Sequence, residues 1–371
     1  MRVLFDVCHP AHVHLFKHAI GALEADGHET LVTSREKEVT TQLLDAYGID
    51  HEPLSSQGDG GLGLAVEWLA REVRLLRRAR RFDPDVIVSH LNFAAAHTST
   101  LLRRPNLVFN DNEEAARLLG PLVHPFSDVV CTPSSFAADL GDVQRRYDGF
   151  HELAYLHPDR FSPDPDALRG HGVDPDDPYF VVRLVSWAAY HDAGREGLSA
   201  EARRELVSTL DAYGDVYVTS EAPLPAEFED YRLPVPPETI HDLLAHADLY
   251  VGDSHTMAIE AGLLGTPAVR FNFLVDGGDL GGYDVLGDTY GLVRSTADER
   301  EGLDLVASLV GDAGAGERWA ERRRRLLSDT VDVTEFMLDR IYELARVPCP
   351  RASAVEDRTT GRPLAGDGGS P

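Results

Sequence analysis

Short runs of β-branched and apolar residues alternate with amphipathic stretches of helical period along the first half of the chain. This alternation predicts parallel strands joined by crossover helices, as in a doubly wound sheet. We therefore expect a Rossmann-like domain over residues 1–160. The predicted strands are residues 2–7, 29–34, 86–90, 106–110 and 128–132, and the predicted helices are residues 14–26, 36–47 and 65–81.

The pattern stops between residues 155 and 178, where proline and aspartate accumulate as they do in linkers. It then resumes, which predicts a second Rossmann-like domain over residues 175–330. Its predicted strands are residues 179–185, 216–219, 249–252 and 268–271, and its predicted helices are residues 200–213, 239–246, a stretch from 256 onward, and 317–327.

The end of the chain has two further parts. Residues 331–347 have the period of a helix, which we expect to pack back on the first domain. Residues 348–371 are rich in Gly, Pro and Ser, and we expect them to be disordered because they cannot bury enough apolar surface. The fold class is therefore α/β, with two doubly wound domains facing across a cleft. Ligands of open α/β sheets bind beyond the carboxyl ends of the strands, so the loops there are the candidate site.

Charge and composition exclude several functions. The formal net charge is -27, which argues against nucleic acid as a partner, because backbone binding needs clustered Lys and Arg. Lysine occurs only at Lys17 and Lys37, while Asp-rich stretches recur, a profile similar to proteins of salt-loving archaea.

No run approaches the ~20 apolar residues of a membrane-spanning helix, so we expect no integral membrane segment and a cytoplasmic protein. The three cysteines form no CxxC pair, so neither a disulfide nor a structural zinc is expected.

Residues 249–269 predict a strand, a turn, a helix and the next strand, with polar side chains at the turn. Gly252 would let the backbone approach a ligand. Ser254 and Thr256 are suited to cap the helix, whose N–H groups favour an anion such as a diphosphate. Glu260, one turn along, would accept hydrogen bonds from a ribose diol. The alternative is an ordinary helix cap with Glu260 on a solvated face.

The pattern D-S-x-x-x-x-x-E-A-x-x-x-G-x-P-x-V, which runs from Asp253 through His255 to Val269, resembles the nucleotide-binding segment of UDP-N-acetylglucosamine 2-epimerases and, more loosely, of GT-B glycosyltransferases. The resemblance implies a GT-B-like fold in which Ser254 contacts phosphate and Glu260 holds the ribose. Residues 237–248 resemble the helix that flanks the base in those enzymes, so backbone groups near Ile240 would read uracil.

The whole chain also resembles an archaeal family catalogued as domain of unknown function 354, through its opening segment and residues 185–192. That family implies a fold but no reaction.

Histidines follow the first predicted strand, in the segment from Asp6 to Phe16. His12, at a helix start, is a candidate catalytic acid or base. The alternative is that His9 and His12 only cap the helix. His14 and His18 share a helix face, but no cysteine or carboxylate pair completes a metal site, so we expect no metal.

Residues 109–117 resemble the epimerase stretch that carries a catalytic carboxylate, which the match places at Glu114, with Glu113 as the other register. The alternative is a solvated helix start, where acidic side chains are common because the helix dipole stabilises them. Where the epimerases have an acidic residue after the preceding strand, this chain has Asn92, which cannot transfer a proton. His90 is a substitute, or a structural histidine at a strand end.

Two further residues follow a strand of the second domain. Arg183 would pair with the diphosphate and His191 would contact sugar or phosphate, because guanidinium matches phosphate oxygens. A structural ion pair is the alternative for Arg183. The glycine-rich loop at residues 276–283 would either close over a substrate or be an ordinary connection.

The leading functional hypothesis is a GT-B-type glycosyltransferase that acts without metal or cofactor on a nucleotide diphosphate sugar, with UDP favoured and the acceptor unknown. The alternatives are a non-hydrolysing UDP-N-acetylhexosamine 2-epimerase and a nucleotide-sugar-binding protein without catalysis. A homodimer is one option that the sequence leaves open.

Overall fold

The computed structural model describes residues 1–58, 60–184, 198–220, 223–271 and 285–349, and it contains two parallel β-sheets covered by helices. The strands of the first sheet are β1 (Arg2–Val7), β2 (Glu29–Glu36), β3 (His51–Ser56), β4 (Val86–His90), β5 (Asn106–Phe109), β6 (Val129–Pro133) and β7 (Gln144–Tyr147). They are ordered β3-β2-β1-β4-β5-β6-β7, and neighbouring strands are parallel.

Helices connect these strands, and polar side chains set where several of them begin. The helices are α1 (Pro10–Ala25), α2 (Thr40–Ala46), α3 (Gly60–Phe82), α4 (Phe93–Leu102), α5 (Glu113–Val123), α6 (Leu153–Leu156) and α7 (Pro165–Arg169). Asn92 accepts from the backbone N–H of Ala94 at the start of α4, and Asn112 accepts from that of Ala115 in α5. Each bond satisfies a helix N–H that has no partner within the helix.

The second sheet has five strands, β8 (Tyr179–Leu184), β9 (Asp215–Ser220), β10 (Leu249–Gly252), β11 (Ala268–Phe271) and β12 (Val293–Thr296), in the order β12-β11-β10-β8-β9. Its helices are α8 (Ala200–Asp211), α9 (Ile240–His246), α10 (His255–Leu264), α11 (Glu299–Val310) and α12 (Ala315–Asp329), followed by α13 (Val333–Ala345). Short 3₁₀ turns lie at His124–Phe126, Gly141–Val143, Ala226–Tyr231 and Pro237–Thr239, and a π turn lies at Val285–Thr289.

Both sheets are parallel and doubly wound, which confirms the predicted α/β class. The strand order reverses between β1 and β4 in the first sheet and between β8 and β10 in the second. Loops leave a sheet in opposite directions at such a point, and the crevice between them is where open α/β sheets bind ligands. The fold therefore marks two loop pairs as the candidate site.

The last helix, α13, packs against the first sheet instead of the second. The hydroxyl of Thr334 donates to the carbonyl of Ala154 at 2.7 Å, and the hydroxyl of Tyr342 donates to Asp26 at 2.9 Å. Met337 and Ile341 are fully buried on the same helix. The end of the chain thus completes the core of its beginning.

The two sheets also share one continuous core. Phe5 in β1 and Leu153 in α6 belong to the same buried apolar cluster as Tyr250 in β10 and Ala258 in α10. The hydroxyl of Tyr155 reaches across from the first half to the carboxylate in α10 described below. No helix in the described part of the chain is long and apolar enough to cross a membrane.

Gly252 is required by the packing of the second sheet. A Cβ atom there would lie 2.2 Å from the carbonyl oxygen of Arg183 and 2.6 Å from the hydroxyl of Tyr250. The carbonyl belongs to the neighbouring strand β8 and cannot move without disturbing the ladder. The sequence suggested that Gly252 lets a ligand come close to the backbone. In the structure, the groups that come close are the carbonyl of Arg183 and the hydroxyl of Tyr250.

We therefore expect Gly252→Ala to lower the free energy of unfolding by about 1–3 kcal/mol, as measured by denaturant titration. The control is Gly21→Ala in α1, where a Cβ meets no atom within 4 Å. Since alanine favours a helix over glycine by about 1 kcal/mol, the control should be neutral or stabilising. Equal losses in both variants would refute the packing argument.

Candidate active site between the two sheets

A cavity of about 260 Å³ lies where the carboxyl ends of the two sheets face each other. The first half of the chain contributes most of the wall, and the start of α10 closes it from the second half. The polar and aromatic residues on its wall include His9, His12, His90, Asp111, His151, Glu152, Tyr155, His255 and Thr256. Imidazoles and carboxyls thus dominate its polar wall.

A histidine and an aspartate follow the ends of β4 and β5 on this wall. Nε2 of His90 lies 3.1 Å from Oδ1 of Asp111. Burial opposes ionisation of Asp111, but the neighbouring His151 and His90 outweigh it and hold the pKa of the carboxyl well below its usual range. Asp111 is therefore an ionised carboxylate whose exposed part faces the cavity.

The charge of Asp111 fixes the proton of His90. An ionised carboxylate only accepts hydrogen bonds, so Nε2 of His90 is the donor. The neutral ring then carries its lone pair on Nδ1, which makes no hydrogen bond within the described residues. His90 and Asp111 thus form a pair in which the carboxylate orients a basic nitrogen.

Two more titratable side chains flank this pair. Nδ1 of His151 lies 2.9 Å from the Tyr147 hydroxyl and 3.6 Å from Oδ2 of Asp111. Burial and the charge of Asp111 raise the pKa of the Glu152 carboxyl well above its usual range. The wall therefore combines an ionised carboxylate with a neutral carboxylic acid.

His151 should make stability depend on pH. It is 6% exposed, and burial lowers its pKa to about 4. The unfolded chain takes up this proton below about pH 6.5 and the folded chain only near pH 4, so stability is lost as the pH falls between these values. The loss attributable to this group reaches about 3 kcal/mol.

The measurement is the free energy of unfolding between pH 7 and 4.5, in the wild type and in His151→Gln. The variant should lose less stability over this interval than the wild type. His171→Gln, at an exposed histidine, is the control and should follow the wild type. Parallel curves for all three proteins would contradict the assignment.

The two histidines after β1 have roles set by backbone hydrogen bonds. Nδ1 of His9 accepts from the N–H of Ala11 at 3.2 Å, and Nδ1 of His12 accepts from that of Cys8 at 3.3 Å. The basic nitrogen of His12 is therefore occupied, and burial holds its pKa well below the usual range. This geometry favours the capping alternative and makes His12 a hydrogen-bond donor through Nε2, not a base.

The second sheet places two arginines beside the start of α10. Gly252 pairs with Arg183 on one side and Arg270 on the other in the strand register. Arg183 donates to the Thr219 hydroxyl at 3.0 Å, and Arg270 donates to Ser295 at 3.1 Å. Two guanidinium groups therefore flank the turn that carries the motif.

No side chain at the N-cap position accepts a hydrogen bond from the first N–H groups of α10. Ser254 is at the N-cap position of α10, but its side chain makes no capping hydrogen bond. Nδ1 of His255 lies 2.8 Å from Arg270, and because a guanidinium only donates, the His255 proton is on Nε2. Asp253 immediately precedes the cap, and Thr256 lies exposed on the cavity wall. Uncapped helix N–H groups and guanidinium groups are both donors of the kind that bind anions.

Glu260 is buried, not solvated. It is 4% exposed, and its Oε1 accepts from the Tyr155 hydroxyl at 2.8 Å and contacts Nε2 of His241 at 3.0 Å. Within the described residues Oε2 makes no hydrogen bond. Ile240, next to His241, begins α9 and is half-buried. The carboxylate thus has one oxygen fixed by protein and one left over.

Several residues predicted from the sequence lie elsewhere than expected or outside the described residues. Glu114 lies exposed on the first turn of α5 and is not part of the cavity wall, while Glu113 accepts from the N–H of Ala137. Asn92 is 4% exposed and donates to the buried Asp6. The carboxylate that the structure brings to the cavity is Asp111. His191 and the loop at residues 276–283 lie outside the described residues, as do residues 350–371 of the predicted tail.

Five residues of the candidate site were not predicted from the sequence: Asp111, His151, Tyr155, His241 and Arg270. Asp111 had a usable signal, since it comes two residues after the end of β5. Arg270 had another, because an arginine inside an apolar strand must find partners when it is fully buried. His151 and Tyr155 come from the segment before the linker, where the sequence carries no periodic pattern.

Metal binding is sterically conceivable at one point of the wall. Ligand atoms of His90, Asp111 and His151 all lie within 4.8 Å of one another. Nε2 of His90 is hydrogen-bonded to Asp111, and Nδ1 of His151 is hydrogen-bonded to Tyr147. A second group, at His157, Asp159 and Asp332, lies away from the cavity and has Asp332 paired with Arg160.

The profile of a protein family described as "Protein of unknown function (DUF354)" matches residues 1–346. The chain belongs to this DUF354 family. An uncharacterised protein of Methanocaldococcus jannaschii is 23% identical to this DUF354 chain over 276 residues, which cover 72% of this chain and 80% of the relative. The family match therefore includes both sheets, but neither the family nor this relative has an assigned reaction.

Solved structures share the fold of this DUF354 chain. The UDP-GlcNAc 2-epimerase of Neisseria meningitidis bound to UDP-GlcNAc has a TM-score of 0.65 at 12% identity, and the match covers 92% of this chain and 100% of that one. The spinosyn rhamnosyltransferase SpnG complexed with thymidine diphosphate has a TM-score of 0.58 at 16% identity, with coverage of 92% and 100%. The DUF354 chain thus has a GT-B-like fold.

Proposed function

We propose that this protein is a glycosyltransferase that binds a nucleoside diphosphate sugar between its two sheets and moves the sugar to an acceptor hydroxyl without a bound metal. The observation that carries the proposal is the His90–Asp111 pair, which faces the start of α10 across the cavity. A basic nitrogen and an anion site on opposite walls are what this transfer needs.

The diphosphate would bind at the start of α10. The N–H groups there are not capped by Ser254, and Arg183 and Arg270 flank the turn in register. These groups would stabilise the charge that develops on the departing diphosphate, which is the role metal ions serve in other sites. Glu260 would hold the ribose through Oε2, and the backbone at Ile240 would face the base. Uracil is the favoured base on the resemblance of the motif.

The chemical step would begin at His90. Nδ1 of His90 takes the proton of the acceptor hydroxyl as that oxygen bonds to the anomeric carbon of the sugar. The bond between this carbon and the phosphate oxygen breaks, and its electron pair leaves with the nucleoside diphosphate. Asp111 stabilises the imidazolium that forms, and Nε2 of His12 is available to donate to a sugar oxygen.

One observation favours a second candidate, a UDP-hexosamine 2-epimerase. Asp111 is ionised and Glu152 is held neutral, and both line the cavity. A base and an acid with opposite protonation are what removal and return of a proton at carbon two require. Against it, the polar residue after β4 is Asn92 and not a carboxylate. Asn92 donates to Asp6 and accepts from the N–H of Ala94 at the start of α4.

Calorimetry of the full chain against UDP, TDP, ADP and GDP in EDTA tests binding first. Turnover is then followed by release of nucleoside diphosphate and by NMR of the sugar. Release that requires an added acceptor supports transfer, whereas inversion at carbon two without acceptor supports the epimerase. Binding without any turnover leaves a non-catalytic binding protein, and no binding at all overturns the proposal.

A further inference from the structure

Helix α3 has an exposed face, here called the α3 outer face, that is apolar and basic. Its apolar members are Val66, Leu69 and Val73, which are 63%, 70% and 45% exposed. Its basic members, all exposed, are Arg74, Arg77, Arg80 and Arg81. Among the described side chains of α3, no exposed position is acidic.

The absence of acid on this face stands out against the composition. The chain has 62 Asp and Glu residues against 35 Lys and Arg. The two acids of α3 are both turned inward: Glu67 is buried against Arg35, and Glu72 contacts His97 at 2.7 Å. Three apolar side chains and four arginines thus remain outside, without a carboxylate between them.

The residues form a continuous stripe along the helix. Val66, Leu69, Val73, Arg77 and Arg80 are spaced by three or four residues, which places them on one side of an α-helix. Arg77, Arg80 and Arg81 have no hydrogen bond or ion pair in the part of the chain that the structure describes. The face is therefore apolar in its first half and carries free positive charge in its second.

The apolar half lies on the side of the cavity. Helix α3 follows β3, so it starts at the same carboxyl edge of the sheet from which His12, His90 and Asp111 project. Val66 to Val73 occupy its first half, and the arginines lie farther from that edge. Whatever covers the α3 outer face therefore lies beside the opening of the candidate site.

We propose that the α3 outer face docks on an anionic phospholipid surface and so presents the cavity to an acceptor carried by a lipid. Arginines beside exposed apolar side chains are what an interfacial helix offers to anionic headgroups and the acyl boundary. The net charge of -27 would repel most other faces from such a surface. The lipid-linked acceptor rests on the proposed function, whereas the docking does not.

A second copy of the chain fits this face less well. Packing α3 against another α3 would bury the arginines without any acidic partner on either helix, and an unpaired buried charge is costly. The anionic bilayer supplies the negative charge that the protein lacks here. Self-association is accordingly an outcome that would count against the proposal.

The test is flotation of the full chain with vesicles of phosphatidylcholine alone or with 30% phosphatidylglycerol (about 0.15 M salt). The wild type should float with the anionic vesicles only. Arg77→Gln, Arg80→Gln and Arg81→Gln combined should weaken partitioning about 100-fold, at roughly five-fold per arginine. Leu69→Glu with Val73→Glu should abolish it.

Val331→Glu and Arg324→Gln, which alter an exposed apolar and an exposed basic residue elsewhere, are the matched controls and should float like the wild type. Circular dichroism at the same salt and nucleotide affinity must be unchanged in every variant, which separates loss of docking from loss of the proposed function. Absence of flotation of the folded wild type overturns the proposal. So does a wild-type dimer in sedimentation that becomes monomeric with the glutamate pair.

Discussion

An Asp111→Asn variant is expected to bind the nucleotide sugar like the wild type and to turn it over about 10²–10⁴ times more slowly. The carboxylate accepts from Nε2 of His90 at 3.1 Å and so keeps the lone pair of that ring on Nδ1. An amide at the same place can also donate, which permits the tautomer whose Nδ1 carries the proton. The base would then be blocked while the cavity keeps its shape.

Measuring kcat and KM separately distinguishes this mechanism from general damage. A loss confined to kcat, with nucleotide affinity and thermal unfolding unchanged, is the expected pattern. Glu114→Gln is the matched control, because that carboxylate is exposed on α5 away from the cavity. If Glu114→Gln loses turnover and Asp111→Asn keeps it, the register of the epimerase resemblance is right and the geometric argument is wrong.

Glu260→Gln is expected to weaken binding of a ribonucleoside diphosphate about 10- to 100-fold, since a hydrogen bond to a charged group contributes about 1.5–3 kcal/mol. The effect should be much smaller for the matching 2′-deoxynucleoside diphosphate, which has only one hydroxyl of the diol. Calorimetry with both ligands on both proteins forms a double-mutant cycle, and its coupling energy isolates the contact between the carboxylate and the 2′-hydroxyl.

Tyr155→Phe is the control for this second experiment. It removes the donor to Oε1 at 2.8 Å and leaves Oε2 untouched, so it should lower stability more than affinity. Equal weakening of the ribo and deoxyribo ligands by Glu260→Gln would show that the residue acts through the packing of α10. Ribose recognition would then have to be sought elsewhere in the site.

Much of the fold was predictable because its central strands are apolar and its helices periodic. The predicted strands at residues 2–7, 86–90, 249–252 and 268–271 coincide with β1, β4, β10 and β11. The edge strands β3 and β7 were missed. β3 contains Pro53, and both carry polar residues that an edge tolerates and an alternation pattern does not reveal. The helix at Phe93–Leu102 was also missed, since it is nearly all apolar or small and shows no polar face.

The candidate site was likewise predictable only where its residues are close together in the sequence. Residues of the second-sheet motif follow one another in the chain, so the turn after β10 could be located from local spacing. Asp111 has the local signal of a carboxylate just after a strand, but the motif match pointed to Glu114 instead. A shift of three residues moves a side chain from the strand end to the outside of a helix. Pairings such as Tyr155 with Glu260 join residues 105 apart, and no local pattern encodes them.

The return of helix α13 to the first sheet bears on how the protein is made. Val333, Met337, Leu338 and Ile341 are fully buried, yet they leave the ribosome only after strands β1 to β12. During synthesis the outer layer of the first sheet therefore stays incomplete until α13 has emerged. Until then, the apolar surface that α13 covers is exposed. N-terminal units usually fold first as they emerge. Here the outer layer of the first sheet is complete only once α13 has been made, so a chain interrupted before residue 333 would leave the first sheet partly uncovered.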